Sequence, residues 1–259
     1  MWTFLLLAAA IAGWWHHRRR PAARRSRHRT LQRTTTALRH IIRRRPQHGA
    51  GASAHAHARH LRTRPRNLIA AAVGITTKEH RLANRYEAGA EGERHTAALL
   101  APLSRRGSTI LHDLALPTGQ ENVDHLVISP TGIVFLPDSK QWSRCYPLAV
   151  RDGRLWHGRQ DVTGRLSGLA HGARTVSAVL GVSAMPIVVV RGAPLYGADG
   201  RPTTDLALAV DGLPIWVVPA DRIMSVLRSI DPSTTRTPAA RNLATRARRH
   251  FPPHTLVHH

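Results

Sequence analysis

Two aspartates and a lysine stand at matching positions on two adjacent predicted strands. Residues 122–142 contain two runs rich in β-branched and aromatic residues, separated by Ser-Pro-Thr-Gly at residues 129–132. This pattern predicts a strand, a tight turn and a second strand. If the loop is centred on residue 131, Asp124 faces Asp138, and directly opposed Cβ atoms lie about 5 Å apart. Because side chains alternate along a strand, Lys140 shares the face that carries both aspartates.

The chemistry that this face could perform depends on the two carboxylates. Like charges directly opposite each other destabilise a sheet, and a divalent cation would remove the repulsion. Hard oxygen ligands suit Mg²⁺, so Asp124 and Asp138 are candidate metal ligands. The ammonium of Lys140 could steady an attacking water or the charge that develops on a phosphate. Pro137 lacks an N–H, so a bulge that shifts the register by one residue is an alternative.

Composition and position bear on two residues near the aspartates. The chain has 38 Lys and Arg residues, of which only Lys78 and Lys140 are lysines. A lysine two residues after an aspartate therefore indicates a need for a compact ammonium, and chance placement is the alternative. His125 alternates to the face opposite Asp124, which favours a packed histidine over a catalytic one.

The elements that must position these residues alternate between strands and helices. The helix predicted over residues 79–103 contains glycines at 89 and 92, so two pieces, the second starting near Ala90, are an alternative. The other predicted elements are strands at residues 109–116, 185–190 and 213–218, and helices at residues 164–180 and 220–230. This alternation predicts an α/β fold with a mixed sheet. The stripe predicted to face its core is formed by Leu126, Ile128, Val134 and Leu136.

The charge of the chain is concentrated at its N-terminus. The formal net charge is +23, and half of the 38 basic residues lie in the first 85 residues, together with a single acid, Glu79. A charge of this size points to a polyanionic partner, either nucleic acid or an anionic membrane surface. The single cysteine, Cys145, excludes an internal disulfide framework and a cysteine-cluster zinc site. The sequence has no glycine-rich nucleotide loop and no Gly-x-Ser-x-Gly elbow, so it does not support an ATPase or a serine hydrolase.

The leader divides into an apolar segment and a basic one. Residues 1–15 are apolar apart from Thr3 and precede His-His-Arg-Arg-Arg, an order that favours an anchor at the inner face of a membrane, with the protein in the cytoplasm. As a helix the segment is about 22 Å long, shorter than the hydrocarbon core, so an unstructured leader is the alternative. Residues 16–76 are an Arg- and His-rich linker, and we expect its residues 16–66 to be mostly disordered. Residues 1–45 could bind an anionic membrane surface, and a solvated tail is the alternative.

Three motifs occur in an order that resembles a known family. Residues 89–93 read Gly-Ala-Glu-Gly-Glu, residues 123–125 read Val-Asp-His, and residues 132–142 end in Asp-Ser-Lys-Gln-Trp. Together they resemble the NERD (nuclease-related) domain, which is similar to the PD-(D/E)xK nuclease superfamily. The resemblance covers roughly residues 88–230. It implies catalytic roles for Glu93, Asp124, Asp138 and Lys140, and an accessory role for Gln141.

The resemblance also implies a fold, a cofactor and a substrate. The fold is a restriction-endonuclease-like mixed β-sheet flanked by helices over residues 77–231, between the disordered basic leader and a basic polar tail at residues 232–259. Glu93, Asp124 and Asp138 would hold Mg²⁺ or Mn²⁺, and the protein would hydrolyse DNA phosphodiester bonds. One alternative is that Glu93 is only a helix-surface carboxylate. Another is a catalytically inactive nucleic-acid-binding or membrane-tethered adaptor that retains the fold.

Overall fold

The structure, a computed structural model, describes residues 49–63, 77–117 and 122–254. The predictions made for residues 1–48, for residues 64–76 of the linker and for residues 255–259 of the tail lie outside these residues. The helices are α1 (Ala52–Thr63), α2 (Lys78–Leu100), α3 (Pro102–Arg105), α4 (Ser167–Leu180), α5 (Ile223–Ile230) and α6 (Pro238–His250), with 3₁₀ turns at Thr163–Leu166 and Ala220–Arg222. The strands are β1 (Thr109–Ala115), β2 (Asn122–Ile128), β3 (Val134–Gln141), β4 (Leu148–Arg151), β5 (Arg154–His157), β6 (Gln160–Asp161), β7 (Ala184–Arg191), β8 (Leu195–Tyr196), β9 (Leu206–Val210) and β10 (Leu213–Pro219).

Six strands form one mixed sheet in the order β1-β2-β3-β7-β10-β9. Strands β1, β2 and β3 are antiparallel neighbours, whereas β3, β7 and β10 run parallel. Strand β9 pairs antiparallel with β10 at the edge. Two parallel neighbours need a crossover connection, and the chain between β3 and β7 includes α4. The predicted α/β fold, a mixed sheet flanked by helices, is confirmed.

Successive side chains of β2 and β3 point to opposite faces of the sheet, and each face packs against its own layer of helices. The residues that share a core with α4 and α6 are Leu126, Ile128, Val134 and Leu136, as predicted. The intervening Val127 and Phe135 pack with residues of α2 and α5 on the other face. Burying one such side chain contributes about 1.5–3 kcal/mol to stability. Both strands that carry the predicted site are therefore held between two packed layers.

Helix α2 is continuous through both of its central glycines. It begins at Lys78, where the Thr77 hydroxyl accepts a hydrogen bond from the backbone N–H of His80 at 3.1 Å. A glycine destabilises a helix by about 1 kcal/mol relative to alanine, and for this reason a break in the helix was an alternative prediction from the sequence. Gly92 is buried against β3, and a Cβ at this position would lie 3.8 Å from the Ser139 Cβ. Packing on the sheet outweighs helix propensity, so the two-piece alternative is wrong.

Helix α1 lies within the segment that we expected to be a mostly disordered linker. Its residues Ala58 and Leu61 are buried and pack against Ala83 of α2. Alanines form most of the apolar face of α1, so a segment rich in Arg and His does not look amphipathic from its composition. A helix of 12 residues is marginal by itself in water. Contact with α2 therefore decides whether this segment is helical.

Helix α6 occupies much of the segment that the sequence analysis interpreted as a basic polar tail. Its N-cap is Thr237, whose hydroxyl accepts a hydrogen bond from the backbone N–H of Ala240 at 3.1 Å, and Pro238 follows in the first turn. The residues that α6 buries are Ala240, Leu243, Ala244 and Ala247. The apolar side chains of this face are small, and the arginines of the other face dominate the composition of the segment. For this reason the helix was not predicted from the sequence.

A second sheet contains four short strands in the order β6-β5-β4-β8. Its strands are two to four residues long, too short to show a period-two pattern, so they were not predicted from the sequence. Leu148 and Leu155 of this sheet share a core with Leu166 and Ala170. The second sheet thereby supports the beginning of α4, which borders the site.

Candidate active site

The hairpin that carries the predicted site opens at the end away from its turn. The paired residues are Ile128 with Val134 and Val127 with Phe135, as the predicted register requires. The ladder ends there, so Asp124 and Asp138 are not directly paired, and this part of the prediction is wrong. The physical reason is Pro137, which has no N–H to donate to β2. Strand β3 pairs along its length with β7 instead.

The two aspartates and the lysine nevertheless lie together. The Lys140 Nζ is 2.9 Å from Oδ1 and 2.7 Å from Oδ2 of Asp138, so the two residues form an ion pair. Asp124 Oδ2 accepts a hydrogen bond from the backbone N–H of Ser139 at 3.3 Å. The Asp124 side chain therefore connects β2 with β3 beyond the point where the backbone ladder ends.

A cleft of about 360 Å³ opens between the ends of these strands and the start of α4. The polar residues that line its strand side are Asn122, Asp124, Asp138 and Lys140. The residues that line its helix side are Arg165, Gly168, Leu169 and Gly172. Gln141 is not part of the lining, because it lies exposed at the end of β3, where its Nε2 donates to the Trp142 carbonyl at 3.4 Å. The structure thus brings three of the predicted residues to the cleft and leaves Gln141 outside it.

Glu93 approaches the same charges from helix α2. Its surface is 7% exposed, so the alternative of a helix-surface carboxylate is wrong. Burial raises the pKa of Glu93 to about 7, and the charges of Asp113 and Asp138 act in the same direction. The ammonium of Lys140 opposes them. Glu93 therefore belongs electrostatically to the group around Lys140.

The pKa values of Asp124 and Lys140 show how the charges of the site act on one another. Burial raises the pKa of Asp124 well above its ordinary value, and the charges of Glu93 and Asp138 add to this effect. Burial alone would lower the pKa of Lys140, but the carboxylates of Asp138 and Asp124 outweigh it, and the pKa is raised. One ammonium thus faces three carboxylates, and the group carries an excess of negative charge when all are ionised.

Asp113 is buried beside the site and was not predicted from the sequence as a site residue. It accepts hydrogen bonds from the backbone N–H and the hydroxyl of Ser53, at 2.8 and 2.7 Å, and from the Asn122 side chain at 3.0 Å. It has a φ of 51°, a conformation that non-glycine residues rarely adopt. An acidic residue inside an apolar strand was the signal that could have found it. Asp113 ties the N-terminus of α1 to Asn122 at the edge of the cleft.

The chain just before α1 covers Glu93. Gly51 has a φ of +74°, and a Cβ there would lie 2.6 Å from the Ala90 carbonyl oxygen, so only glycine fits this close approach. A hydrogen bond from the backbone of Gly51 to Glu93 lowers the pKa of the carboxyl, against the effect of burial. The linker segment therefore forms one wall of the site.

His125 is fully buried and lies beside His112, with 2.8 Å between their Nδ1 atoms. Burial lowers the pKa of His125 to about 3, and the charge of His112 acts in the same direction. The imidazole is therefore neutral at physiological pH. The interpretation of His125 as a packed residue agrees with this position.

The donors available to a metal ion are carboxylate oxygens. Glu93 Oε2 is buried without a hydrogen-bond partner, and Asp138 Oδ2 is buried with only the Lys140 ion pair beside it. Hard oxygen donors with excess negative charge fit Mg²⁺ or Mn²⁺. Within residues 49–63, 77–117 and 122–254, no three His, Cys, Asp or Glu side chains are placed closely enough to hold a metal as they stand. In this arrangement the ammonium of Lys140 balances the negative charge of Asp138.

Residues 88–187 match the family model of the nuclease-related domain, NERD. The resemblance inferred from the sequence motifs is thereby confirmed, and the matched segment runs from the second half of α2 into β7. No curated protein matches the chain. No solved structure matches it either.

Proposed function

We propose that this chain, which carries a nuclease-related domain, is a metal-dependent nuclease that hydrolyses DNA phosphodiester bonds. The observation that carries the proposal is that Asp124, Asp138 and Lys140 line one cleft, and that the charge of the buried Glu93 acts on Asp124 and Lys140. These four side chains come from a helix and two strands, and two of the carboxyl groups have raised pKa values. Strongly perturbed groups of this kind cluster at functional sites.

Each residue of the group has a role in the proposed reaction. A divalent cation held by Glu93, Asp124 and Asp138 would supply Lewis acidity toward water and the scissile phosphate. The hydrogen bond from the Ser139 N–H orients the Asp124 carboxylate. Lys140 stays protonated at neutral pH because its pKa is raised, so it acts as a donor to water or to a phosphate oxygen and not as a base.

The surface around the cleft supports DNA as the partner. The exposed residues in the last turn of α6 include Arg248, Arg249 and His250. Shortly after this turn the Pro252 carbonyl accepts a hydrogen bond from the Ala115 N–H at 2.8 Å, and Ala115 pairs with Asn122, which lines the cleft. We infer that the positive charge in this last turn of α6 contacts the phosphates of a bound strand.

One observation favours the alternative, an inactive nucleic-acid-binding adaptor. Asp138 is already neutralised by Lys140, so the apoprotein does not need a metal to offset its charge. A protein of this kind would bind DNA through its basic residues, and divalent metal would leave it without cleavage activity. Plasmid cleavage with Mg²⁺ or Mn²⁺, with and without chelator, separates the two functions.

Replacing Lys140 with Met is expected to reduce plasmid cleavage by about 10²-fold or more, the loss typical of one preorganised donor. Lys78→Met is the matched control, because Lys78 is the other lysine of the chain and is exposed at the start of α2. The measurement is the initial rate of plasmid nicking at equal Mg²⁺ concentration. Equal rates for the two variants would contradict the role of Lys140.

We also propose that residues 1–15 attach the protein to the inner face of the membrane, aided by the basic residues up to 45. In the part of the chain that the structure describes, no helix is long and apolar enough to cross a membrane. Because residues 1–15 are apolar, the full chain is expected in the membrane fraction, and a version that begins at Gly49, which keeps α1, is expected to lose this attachment. If both versions fractionate alike, the anchor proposal fails.

A further inference from the structure

The wall of the cleft opposite the carboxylates belongs to the 3₁₀ turn and the first two turns of α4. Arg165 lies on that turn, and Gly168, Leu169 and Gly172 follow on the helix. The cleft therefore has an acidic side, formed by β2 and β3, and a second side whose charged residue is Arg165. The motifs that identify the family include no residue of this second side.

Arg165 differs from the other cation of the cleft in what it contacts. Lys140 is engaged with both oxygens of Asp138. The backbone N–H of Arg165 donates to the Val162 carbonyl at 3.0 Å, but its exposed side chain makes no hydrogen bond or ion pair with any residue that the structure describes. A guanidinium presents several N–H groups in a plane that matches the oxygens of a phosphate. Arg165 is thus a cation in the cleft that is free to bind an anion.

The glycines on the same wall leave room beside Arg165. Gly168 and Gly172 are four residues apart, so they lie on one face of α4. A Cβ at Gly168 would meet nothing within 4 Å, whereas one at Gly172 would lie 3.5 Å from the Val123 Cγ2. Each glycine lowers helix stability by about 1 kcal/mol relative to alanine. The one large apolar side chain of the wall, Leu169, offers a surface for a sugar or a base.

The size of the cleft limits what can enter it. Its volume of about 360 Å³ is at the lower end of the roughly 300–1,000 Å³ typical of small-ligand sites. This space suits one nucleotide with its phosphate and is smaller than a pair of whole nucleotides requires. An unpaired nucleotide is therefore the occupant that this volume favours.

We propose that Arg165 binds the phosphate of an unpaired nucleotide in this cleft, so that the site takes single-stranded or frayed nucleic acid. The proposal deepens the nuclease function and rests on it for the chemistry at Asp138. The binding itself does not depend on cleavage, because Arg165 and the glycine wall are separate from the carboxylates. Binding and cleavage can therefore be tested apart.

The test measures binding of a fluorescent 5′-phosphorylated thymidine dinucleotide to the full chain in the presence of chelator. Arg165→Ala is expected to weaken binding about 10-fold, and Arg165→Lys less, because a lysine keeps the charge but not the fork of donors. Gly168→Leu, which fills the cleft, is expected to weaken binding at least as much. Arg159→Ala is the matched control, since Arg159 is exposed in the β5–β6 turn and does not line the cleft. Thermal melts of each variant establish that it is folded.

Three outcomes would overturn the proposal. One is equal loss of binding in the Arg165 and Arg159 variants, which would mean non-specific attraction to a basic protein. Another is competition by inorganic phosphate as strong as that by unlabelled dinucleotide, which would mean a site for a free anion. The third is a blunt duplex that competes as well as a single strand of the same length. If the dinucleotide binds as expected but no variant or parent cleaves DNA with Mg²⁺, the nuclease function fails and the binding site stands.

Discussion

Replacing Asp138 with Asn is expected to abolish DNA cleavage, with a loss of about 10³-fold, while leaving the metal-free protein about as stable as its parent. Loss of a ligand to a catalytic cation removes several kcal/mol of transition-state stabilisation, which accounts for the effect on rate. In the metal-free protein two changes oppose each other. Asn loses the ion pair with Lys140, and it also removes a negative charge beside Asp124 and Glu93.

Thermal melts with and without Mg²⁺ complete this prediction. A cation that binds the native site and not the unfolded chain stabilises the parent by mass action, by about 2.7 kcal/mol at 100 times its dissociation constant. Asp138→Asn should show a much smaller Mg²⁺-dependent rise in Tm. Asp152→Asn is the control, because Asp152 is exposed in the β4–β5 turn with a φ of 50°, a conformation that Asn tolerates. Equal Mg²⁺ shifts in all three proteins would rule out Asp138 as a metal ligand.

Replacing Glu93 with Gln is expected to make the metal-free protein more stable than its parent at pH 8, and not at pH 4. Glu93 has a pKa of about 7 in the folded protein, against 4.5 as the ordinary value. Between these two values the folded state binds more protons than the unfolded state, so the stability contributed by the protonated carboxyl is lost as the pH rises. The difference between the two proteins should approach about 3 kcal/mol above pH 7, since one pKa unit corresponds to about 1.4 kcal/mol.

The comparison must be made between variants, because His125 acts in the opposite direction. Its lowered pKa means that the folded state resists protonation, so stability is lost as the pH falls below the ordinary histidine value of 6.5. Both proteins contain His125, and its effect cancels in their difference. Denaturant unfolding with chelator at pH 4, 6 and 8 measures this difference, and Glu91→Gln is the control because the Glu91 side chain is 69% exposed. A pH-independent difference for Glu93→Gln would contradict the assignment.

The two helices that the sequence did not predict share one physical cause. Helices α1 and α6 bury mostly alanines, which contribute little to a hydrophobicity pattern, and their exposed faces carry the Arg and His residues that dominate the composition. Neither segment contains enough apolar surface to indicate a core of its own. Each becomes helical against a surface that other parts of the chain supply, α2 for α1 and the sheet with α4 for α6.

The sequence by itself predicted five of the six strands of the main sheet, all except β9, together with the hairpin of β2 and β3. It also gave Glu93, Asp124, Asp138 and Lys140 as the candidate site residues. These depend on local properties: the period-two pattern of β2 and β3, the turn at Gly132 with its φ of 105°, and the order of the motifs around Glu93, Asp124 and Asp138. Each of them can be recognised from neighbouring residues in the chain.

Only the tertiary structure decided how these residues meet. The loss of a donor at Pro137 ends the β2–β3 ladder, so Asp124 bonds to the Ser139 N–H and does not stand directly opposite Asp138. The contact between Gly51 and Ala90 closes the site over Glu93, and this burial moves the pKa of that carboxyl. Arg165 enters the cleft because the second sheet supports the start of α4. Each of these three effects depends on a contact between segments that are distant in sequence. Burial and charge balance act through such contacts, and a local pattern of residues does not reveal them.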